Sequence, residues 1–462
     1  MSGIFQSLDI ARKAIWSSRL GMDVTSHNIA NVNTEGYTRQ RMVSQAAQPL
    51  QLVQGQLGMG VALESLHRVR NTMLDQQFRQ TNHLLGNATA KEDLYSQIEI
   101  IFQEPSESAV GSQMNDFFLE FSNLASSPED TAIRNTIREK ATTLVDAFNT
   151  KSQQLSSMQN SIQSNVKASI EQVNSLTRQI AELNRQIVMG NGKSMMANDL
   201  MDRRDLLLDR LSEYTKITVS EGANGQISVS ADGVNLVSGI NANELSFTTT
   251  GDGSDLQIEI SNSNGQSANF KSGKIGALLE MHNQKIPELQ VKLDNLAKAF
   301  IEEVNRIHSA GYGLPVGNPP QPSTGVNFFE GNSASTIRIN SDIMENINNI
   351  AASSDGDPGN GDVALAISNI RNSKVFNGGT QTLEDYYTDT VKTLAVEIEQ
   401  AGQSRQSQQL LKNQVQNQRD AESGVSLDEE MTNLIKYQRS FEAASKVVKV
   451  VDEMLATIVN MV

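Results

Sequence analysis

Catalysis in this chain would have to draw on five histidines, His27, His67, His83, His282 and His308. Imidazole is the side chain best suited to move protons near neutral pH or to ligate a transition metal. No two of these histidines stand at metal-ligand spacing, none lies in H-E-x-x-H, and neither a G-x-S-x-G elbow nor a phosphate loop occurs. Triads assembled from distant residues leave no local trace, and it is local catalytic chemistry that these patterns exclude. His308, close to the end of its helix, reads as a partner for the helix dipole. DGDPGNGD, residues 355–362, is the sharpest metal candidate, because oxygen-rich loops suit Ca²⁺. Its register is wrong: with Asp355 in first place, Asn360 stands at the required glycine and Ala366 at the closing glutamate. A turn leading into a helix at Val363 fits those residues better. GQLGMGV, residues 55–61, lacks the strand, helix and basic residue of a nucleotide loop and reads as a β-turn. Asn87-Ala88-Thr89 matches a glycosylation acceptor, a pattern too short to carry weight. No catalytic, cofactor-binding or metal residue is assigned.

The chemistry left over is conformational. In NIANVNTEGYTRQ, residues 28–40, Asn28, Asn31 and Asn33 can bond local backbone where a helix ends. Gly36 can take a positive φ, and Tyr37 can pack its ring while its hydroxyl finds a partner. Those residue types describe a hinge and need no ligand.

The elements around that loop follow from apolar spacing. Ile4, Leu8, Ala11, Ile15, Ser18, Met22, Thr25 and Ile29 recur at three and four residues, a seam that is partly small or polar. A stronger seam, Leu427, Met431, Leu434, Gln438, Phe441, Ala444, Val448, Val451, Leu455, Ile458 and Val462, runs to the last residue, and Ser426 with Glu429 suggests a capping box at its start. Each stripe is apolar area that one helix cannot bury alone. Between them lie short helices near Glu92–Phe102, stopped by Pro105, and Met114–Leu124. A long helix follows, with Ser127 as N-cap, Pro128 in the first turn and GNG at 190–192 as its end. Its roughly 60 residues would span about 90 Å. From Ile217 the period becomes two, with ADG, GDG and NG turns. Helix returns at Gly276–Ile307, and a Pro/Gly-rich loop occupies 311–325. A short strand, STIRIN, and a polar helix from Leu383 to Asp420 complete the order. The fold class is mainly α with a β insertion: a long helical rod with paired N- and C-terminal coiled-coil helices and a small antiparallel β domain.

Composition agrees with a surface-rich rod. The 462 residues exceed the roughly 250–300 at which single cores stop growing, and aromatics make up only 5%. A net charge of −15 without a basic block argues against nucleic acid or an anionic membrane as partner. There is no cysteine, which excludes disulfides and thiolate metal sites. Asp9, Arg12 and Lys13 interrupt what would be the apolar core of a cleavable signal, and Lys449, Asp452 and Glu453 interrupt the apolar C-terminal run. Export, if it occurs, is expected to use a route that reads no cleaved leader.

These residues resemble a family, the rod and hook axial proteins of the bacterial flagellum. The loop from Asn28 is similar to their N-x-A-N-x-x-T-x-G-Y signature, matched by Asn28, Ala30, Asn31, Thr34, Gly36 and Tyr37; the C-terminal stretch from Val425 resembles their paired C-terminal helix. GMGVALESLHRVRN, residues 58–71, is similar to the strand that follows the motif. MDRRDLLLDRLSEY (201–214), SGKIGALLEM (272–281) and LDNLAKAFIEEVNRIHSAGYG (293–313) resemble the branch at the junction of hook and filament. Rod and hook members pass quickly into β-structure, whereas residues 86–213 here read as helix. Glu35 stands where relatives often have proline.

The resemblance implies a non-enzymatic structural subunit, exported unfolded by the flagellar type III apparatus and located outside the cell. Implied partners are copies of itself in a ring, the hook protein, a second hook-filament junction protein and a cytoplasmic export chaperone on the C-terminal helix, with no nucleic acid and no membrane. Another axial member, a hook or distal-rod subunit, stands as the alternative; a secreted coiled-coil adhesin and an enzyme on a helical scaffold stand further off. The expected division is 1–35 and 424–462 as the inner coiled coil, 36–214 and 273–423 as the core, and 215–272 as the β domain. The seam expected to pair, and to order on polymerisation, comprises Ile4, Leu8, Ile15, Met22 and Ile29 with Leu427, Met431, Leu434, Phe441, Val448, Val451, Leu455 and Ile458.

Overall fold

The computed structural model describes residues 2–52, 55–102, 109–190, 195–222, 225–251, 256–317 and 321–460. Pro105, Gly192, Val462 and the Asp252-Gly253 part of the GDG turn lie outside the described residues. The chain opens with α1 (Ser2–Ala30), then β1 (Gln40–Ala46), β2 (Leu50–Leu52), β3 (Gly55–Leu57) and β4 (Val61–Arg68). β1 pairs antiparallel with β4, and β2 with β3 as a hairpin between them. Four helices follow: α2 (Thr72–Phe102), α3 (Val110–Ser126), α4 (Thr131–Met189) and α5 (Met195–Tyr214). The architecture is mainly helical with small antiparallel sheets.

α4, with 59 residues, is the strut. Ile137, Leu144, Phe148, Leu155, Ile162, Val166, Val173 and Ile180 lie buried along one side, the repeat that helical packing requires. Its start differs from expectation. The N-cap is Asp130, whose carboxylate accepts the Ala132 N–H at 2.7 Å, and not Ser127. The Pro128 carbonyl is instead taken by the Arg134 guanidinium, at 3.1 Å from Nε, so residues 127–130 close as a turn. α2 also begins earlier than expected, at Thr72, because Asn71 Oδ1 caps it by accepting the Met73 N–H at 3.0 Å.

The β region is two sheets. β5 (Ile217–Glu221), β6 (Ile227–Ala231), β7 (Val234–Ser238) and β8 (Asn241–Ala242) form one in that order; β9 (Leu245–Thr250), β10 (Gln257–Asn262) and β11 (Ser267–Ala268) form the other, with β10 central. Asp232 (φ 43°) and Gly233 (φ 87°) make the tight turn between β6 and β7 that the ADG sequence suggested. Helix resumes as α6 (Gly273–Glu280), a π-helical turn (Met281–Lys285) and α7 (Ile286–His308). The register change comes just before Pro287, which has no amide hydrogen for the α ladder.

The expected loop at 311–325 is instead a two-stranded ribbon, β12 (Tyr312–Val316) with β13 (Gln321–Thr324). A two-stranded ribbon has no central strand, so Pro315 and Pro322 leave no ladder between neighbours broken. β14 (Phe329–Glu330) pairs with β15 (Arg338–Ile339), the STIRIN strand. Two short helices, α8 (Ser341–Glu345) and α9 (Asp362–Ser368), precede α10 (Leu383–Ser423) and α11 (Leu427–Asn460). A reciprocal capping box of Thr382 and Asp385, not anticipated, starts α10.

One device ties sheets to helices throughout. Asn28 on α1 accepts the Gln40 N–H and donates to the Gln40 carbonyl, at 3.0 and 2.9 Å. Asn174 does the same for Leu245, Asn184 for Ile227, Asn283 for Ile258 and Asn305 for Phe329. Each carboxamide thus presents one acceptor and one donor to one strand residue, as a neighbouring strand would. The backbone's own polarity fixes which amide atom is which.

The end of α4 away from β5–β11 is an aromatic knot, to which β14 contributes Phe329. Phe117, Phe121, Phe300, Phe328 and Phe329 are fully buried, with the Phe117 ring 5.4 Å from Phe300 and Phe328 stacked at a tilt 4.7 Å from Phe329. Arg134 is buried beside this region with no carboxylate partner among the described residues, donating to Pro128 O and Ile350 O, and burial lowers its pKa to about 10. His308 is not the charged partner of a helix end that the sequence suggested. Its Nδ1–H donates to Val326 O at 2.7 Å and its Nε2 accepts the Ala351 N–H at 2.9 Å, which fixes a neutral ring.

Burial pulls His308 from 6.5 to about 4. A depressed histidine contributes stability that is complete above 6.5 and is lost as pH falls towards 4, because only the unfolded chain takes up the proton. The loss is at most about 3 kcal/mol. His83 and His282 are also lowered by burial, so a difference measurement is needed. Urea midpoints from pH 7 to 4 should fall more steeply for the natural chain than for His308→Gln; parallel curves would exclude this role.

Candidate functional site

The two terminal helices pack against each other, and their contacts fix an antiparallel order. Ser18 Oγ donates to Ser440 Oγ at 3.0 Å, Gly21 faces the Tyr437 ring, and Asn28 Nδ2 reaches Glu430 Oε2 at 3.0 Å. Each step forward along α1 is matched by an equal step back along α11. A Cβ at Gly21 would fall 2.6 Å from the Tyr437 ring, so glycine is required for this approach.

The centre of the α1 face is small and polar: Ala11, Ser18, Val24, Thr25 and Asn28 are buried, while Ile4, Leu8, Ile15, Met22 and Ile29 flank them half-buried. On α11, Glu430, Ala444 and Val451 are buried and Leu434, Tyr437, Phe441, Val448 and Leu455 half-buried towards the same side. Leu427, Met431 and Ile458 are exposed. The helix repeats every 3.6 residues, so a strict heptad stripe drifts about 20° per repeat and carries these residues away from the partner. Ile435, also exposed, continues Leu427 and Met431 along one flank of the α1-facing side, and exposed Val447, Val450 and Met454 lie on the opposite flank nearer the C-terminus.

Beyond α1 the loop forms a joint. Asn31 Nδ2 donates to His27 O at 3.0 Å and ends the helix locally; Thr34 Oγ1 donates to Asn31 Oδ1 at 3.1 Å. Gly36 has φ 78° beneath Leu206. Ala30, Asn33 and Thr34 are exposed. Asn28 is no local cap: it is 1% exposed and makes four hydrogen bonds, two with the Gln40 backbone, one from the Tyr37 hydroxyl at 2.8 Å and one to Glu430. All four of its hydrogen-bonding positions are used.

Since the Tyr37 proton goes to Asn28, His27 Nδ1, 3.0 Å away, is the donor to the Tyr37 oxygen. Burial, and then the carboxylates of Asp199, Asp202 and Glu430, push the Tyr37 hydroxyl's pKa up, so it stays a donor. The Gln40 side chain continues the network to α5 through Asp199 at 2.8 Å and Asn198 at 3.2 Å. Glu429, expected in a capping box with Ser426, pairs with Arg39, whose N–H donates to Ser423 O at 3.0 Å.

Below the joint lies a cluster that the sequence reading missed. Arg68 contacts Asp202 at 2.9 Å and Asp205 at 2.7 Å; Arg70 contacts Asp75 and, at 3.1 Å, Asp205. Arg79 reaches Asp209 at 2.9 Å, and Arg419 reaches Asp209 at 2.7 Å while lying over the Phe78 ring. Asp202 also accepts the Thr38 N–H at 3.0 Å. Four arginines thus bind four aspartates, joining β4, α2, α5 and α10. Burial works to raise Asp205, and the guanidinium groups of Arg70, Arg68 and Arg79 outweigh it, leaving its pKa lowered. A signal was present: Asp202, Asp205 and Asp209 recur at helical spacing beside buried Leu208 and Leu211, a charged face ordinarily read as solvated.

The other candidates are dispersed. In residues 355–362, Asp355 Oδ1 accepts from Ser353 Oγ and the Asp357 N–H, and Asp362 Oδ1 accepts the Ser354 N–H, so the carboxylates close turns. Asn87 lies in α2 with its amide on Gly273 O. His67 meets Ser65 on β4, and His282 meets Asn283 in the π-helical turn. Among the described residues no group of three or more histidine and carboxylate side chains is arranged to hold a metal, and no helix is long and apolar enough to cross a membrane.

Comparison with known proteins matches these parts one by one. Residues 95–329 match the family described as the flagellar hook-associated protein FlgK helical domain. Residues 8–38 match the flagella basal body rod protein family, and 416–461 the C-terminal family of the flagellar basal body rod FlgEFG proteins. Flagellar hook-associated protein 1 of Bacillus subtilis is 28% identical over 100% of this chain and 99% of its own; that of Escherichia coli is 24% identical over 97% and 98%. The flagellar hook junction protein FlgK of Burkholderia pseudomallei shares the fold, with a TM-score of 0.63 at 17% identity over 75% of this chain and 100% of its own.

The joint and the cluster should separate in mutagenesis. Arg68→Ala, which takes from buried Asp202 its closest guanidinium and from Asp205 one of three, should destabilise the core by about 3 kcal/mol in urea unfolding. Tyr37→Phe, which removes one donor from Asn28 and one acceptor from His27, should cost about 1–2 kcal/mol. Its effect should appear as faster proteolysis within 1–38 and 424–460 while 75–420 keeps its resistance. Equal loss of resistance throughout would show that the joint is not a separable element.

Proposed function

The chain belongs to the FlgK family of flagellar hook-associated proteins, and from that premise we propose that its terminal helix pair is the part that packs among neighbours in the assembled axial structure. It is a structural, non-enzymatic subunit of the flagellum at the junction of hook and filament, and its partners are other axial subunits. The observation that carries the proposal is the apolar area that α11 leaves outside its contact with α1. Leu427, Met431 and Ile435 on one flank, and Val447, Val450 and Met454 on the other, are exposed on a helix whose remaining side is covered by α1. Apolar area of this extent outside a core marks a contact surface. Phe5 and Trp16, both more than half exposed, add large apolar side chains on the surface of α1.

In this reading the inner pair is 1–35 with 424–462, the core is 36–214 with 273–423, and 215–272 is an outer β unit. The motif Asn28, Ala30, Asn31, Thr34, Gly36 and Tyr37 is the joint between pair and core. The specific neighbours that fit the reading are further copies in a ring, the hook protein on one side and a second junction protein on the other. A cytoplasmic chaperone that shields the C-terminal helix before export fits the same exposed stripe. Neighbouring copies would order the terminal pair further by burying that stripe.

Replacing Met431, Ile435, Val450 and Met454 by Ser changes only exposed positions, so the purified monomer should keep its urea midpoint to within about 0.5 kcal/mol per site. Cells carrying that variant should build hooks and fail to build filaments in electron micrographs. Normal filaments would overturn the proposal.

A further inference from the structure

α11 offers apolar residues on two sides, and a stripe of this kind can meet α1 in several registers. Coiled coils with uniformly apolar seams slip in that way, and single buried polar residues prevent it. Here the seam carries three features that agree on one register only: Ser18 against Ser440, the Gly21 notch beneath Tyr437, and Asn28 against Glu430. Glu430 is the one ionisable residue of α11 that is buried, at 3% exposure. A slip of one heptad sets Tyr437 against Ala14 or Asn28, where a Cβ occupies the space that the ring needs. The same slip takes Glu430 away from the Asn28 amide and leaves both groups buried without each other.

We propose that Asn28 and Glu430, together with the Gly21–Tyr437 notch, form the register and rotational lock of the terminal pair. The lock selects which residues of α11 meet α1 and so which apolar residues remain for neighbours. The lock itself stands on the pairing geometry; only the use of the remaining face rests on the assembly reading given above. Asn28 links the two levels, since the carboxamide that reads Glu430 is the one that holds Gln40 of β1. Rotation of the terminal pair is therefore set by the same side chain that anchors it to the core.

The natural chain has no cysteine, so paired cysteines report register directly. Ser18→Cys with Ser440→Cys tests the native register, and Ser18→Cys with Val447→Cys tests a slip of one heptad. Each pair would be oxidised in the isolated full-length chain carrying natural Glu430, Glu430→Gln or Glu430→Leu, and scored by mobility on non-reducing gels, with helicity followed in parallel. Glutamine can still accept from Asn28, so the natural and glutamine chains should cross-link only in the native register. Leucine should raise the ratio of slipped to native cross-link by about tenfold, or abolish both cross-links while glutamine retains the native one. A leucine chain that cross-links only in the native register, or a glutamine chain that behaves like leucine, would overturn the lock. Neither readout involves flagellar assembly, so the lock can fail while the assembly proposal stands, and the reverse.

Discussion

The fold depends on asparagine side chains standing in for strands. Its sheets are small, several of only two strands, and sheets of that size are marginal in water without a packed face or further backbone partners. A helix cannot complete a β ladder with its own backbone, because its amides are already used. Asn28, Asn174, Asn184, Asn283 and Asn305 supply the missing donor and acceptor from helix surfaces, so β1, β9, β6, β10 and β14 are each held at a fixed height along a helix. Asparagine is a mediocre helix former, costing up to roughly 0.7 kcal/mol against alanine, and its presence within long helices is accounted for by these bonds.

The joint between the terminal helices and the core combines that device with charge. Asn28 fixes α1 to β1, Gln40 passes the connection to α5, and the arginine–aspartate cluster beneath ties α5 to β4, α2 and α10. Breaking a buried ion pair costs more than the pair contributes, because the remaining charge is stranded, so such a cluster favours one arrangement over near alternatives. For a member of the FlgK family this separates two tasks. The terminal pair leaves apolar side chains exposed, while the polar joint fixes α1 to β1.

How much of this was legible depended on the range of the interaction. The long helices were visible because Ile137, Leu144, Phe148 and their successors repeat along one strand of sequence, and the β region because its period changes at Ile217. The first turns of α2 were missed because TMLDQQFRQTNH is polar, and its cap, Asn71, is not followed by an apolar run. The α1 stripe is legible in its spacing, and its small members Ala11, Ser18 and Thr25 are the buried ones because close approach to Tyr437 selects them, with the large residues beside them half-buried. The end of α1 near Asn31 and the positive φ at Gly36 follow from local residue types, but the partners of Asn28 lie 12 and 402 residues away, and no local pattern names them. The arginine–aspartate cluster was hidden for the same reason: each charge looks solvated until its partner is brought to it.

The length of α4 sets a tolerance. At about 1.5 Å per residue its 59 residues form an arm of about 88 Å, with the joint region at one end and the aromatic knot at the other. An angular error of one degree at the joint displaces the far end by about 1.5 Å, and three degrees by about the width of one strand spacing. Subunits stacked into a continuous tube would repeat that error at every position. A carboxamide with all of its hydrogen-bonding positions filled leaves little room for such play, so the smallest side chains of the joint limit how accurately the largest element can be aimed.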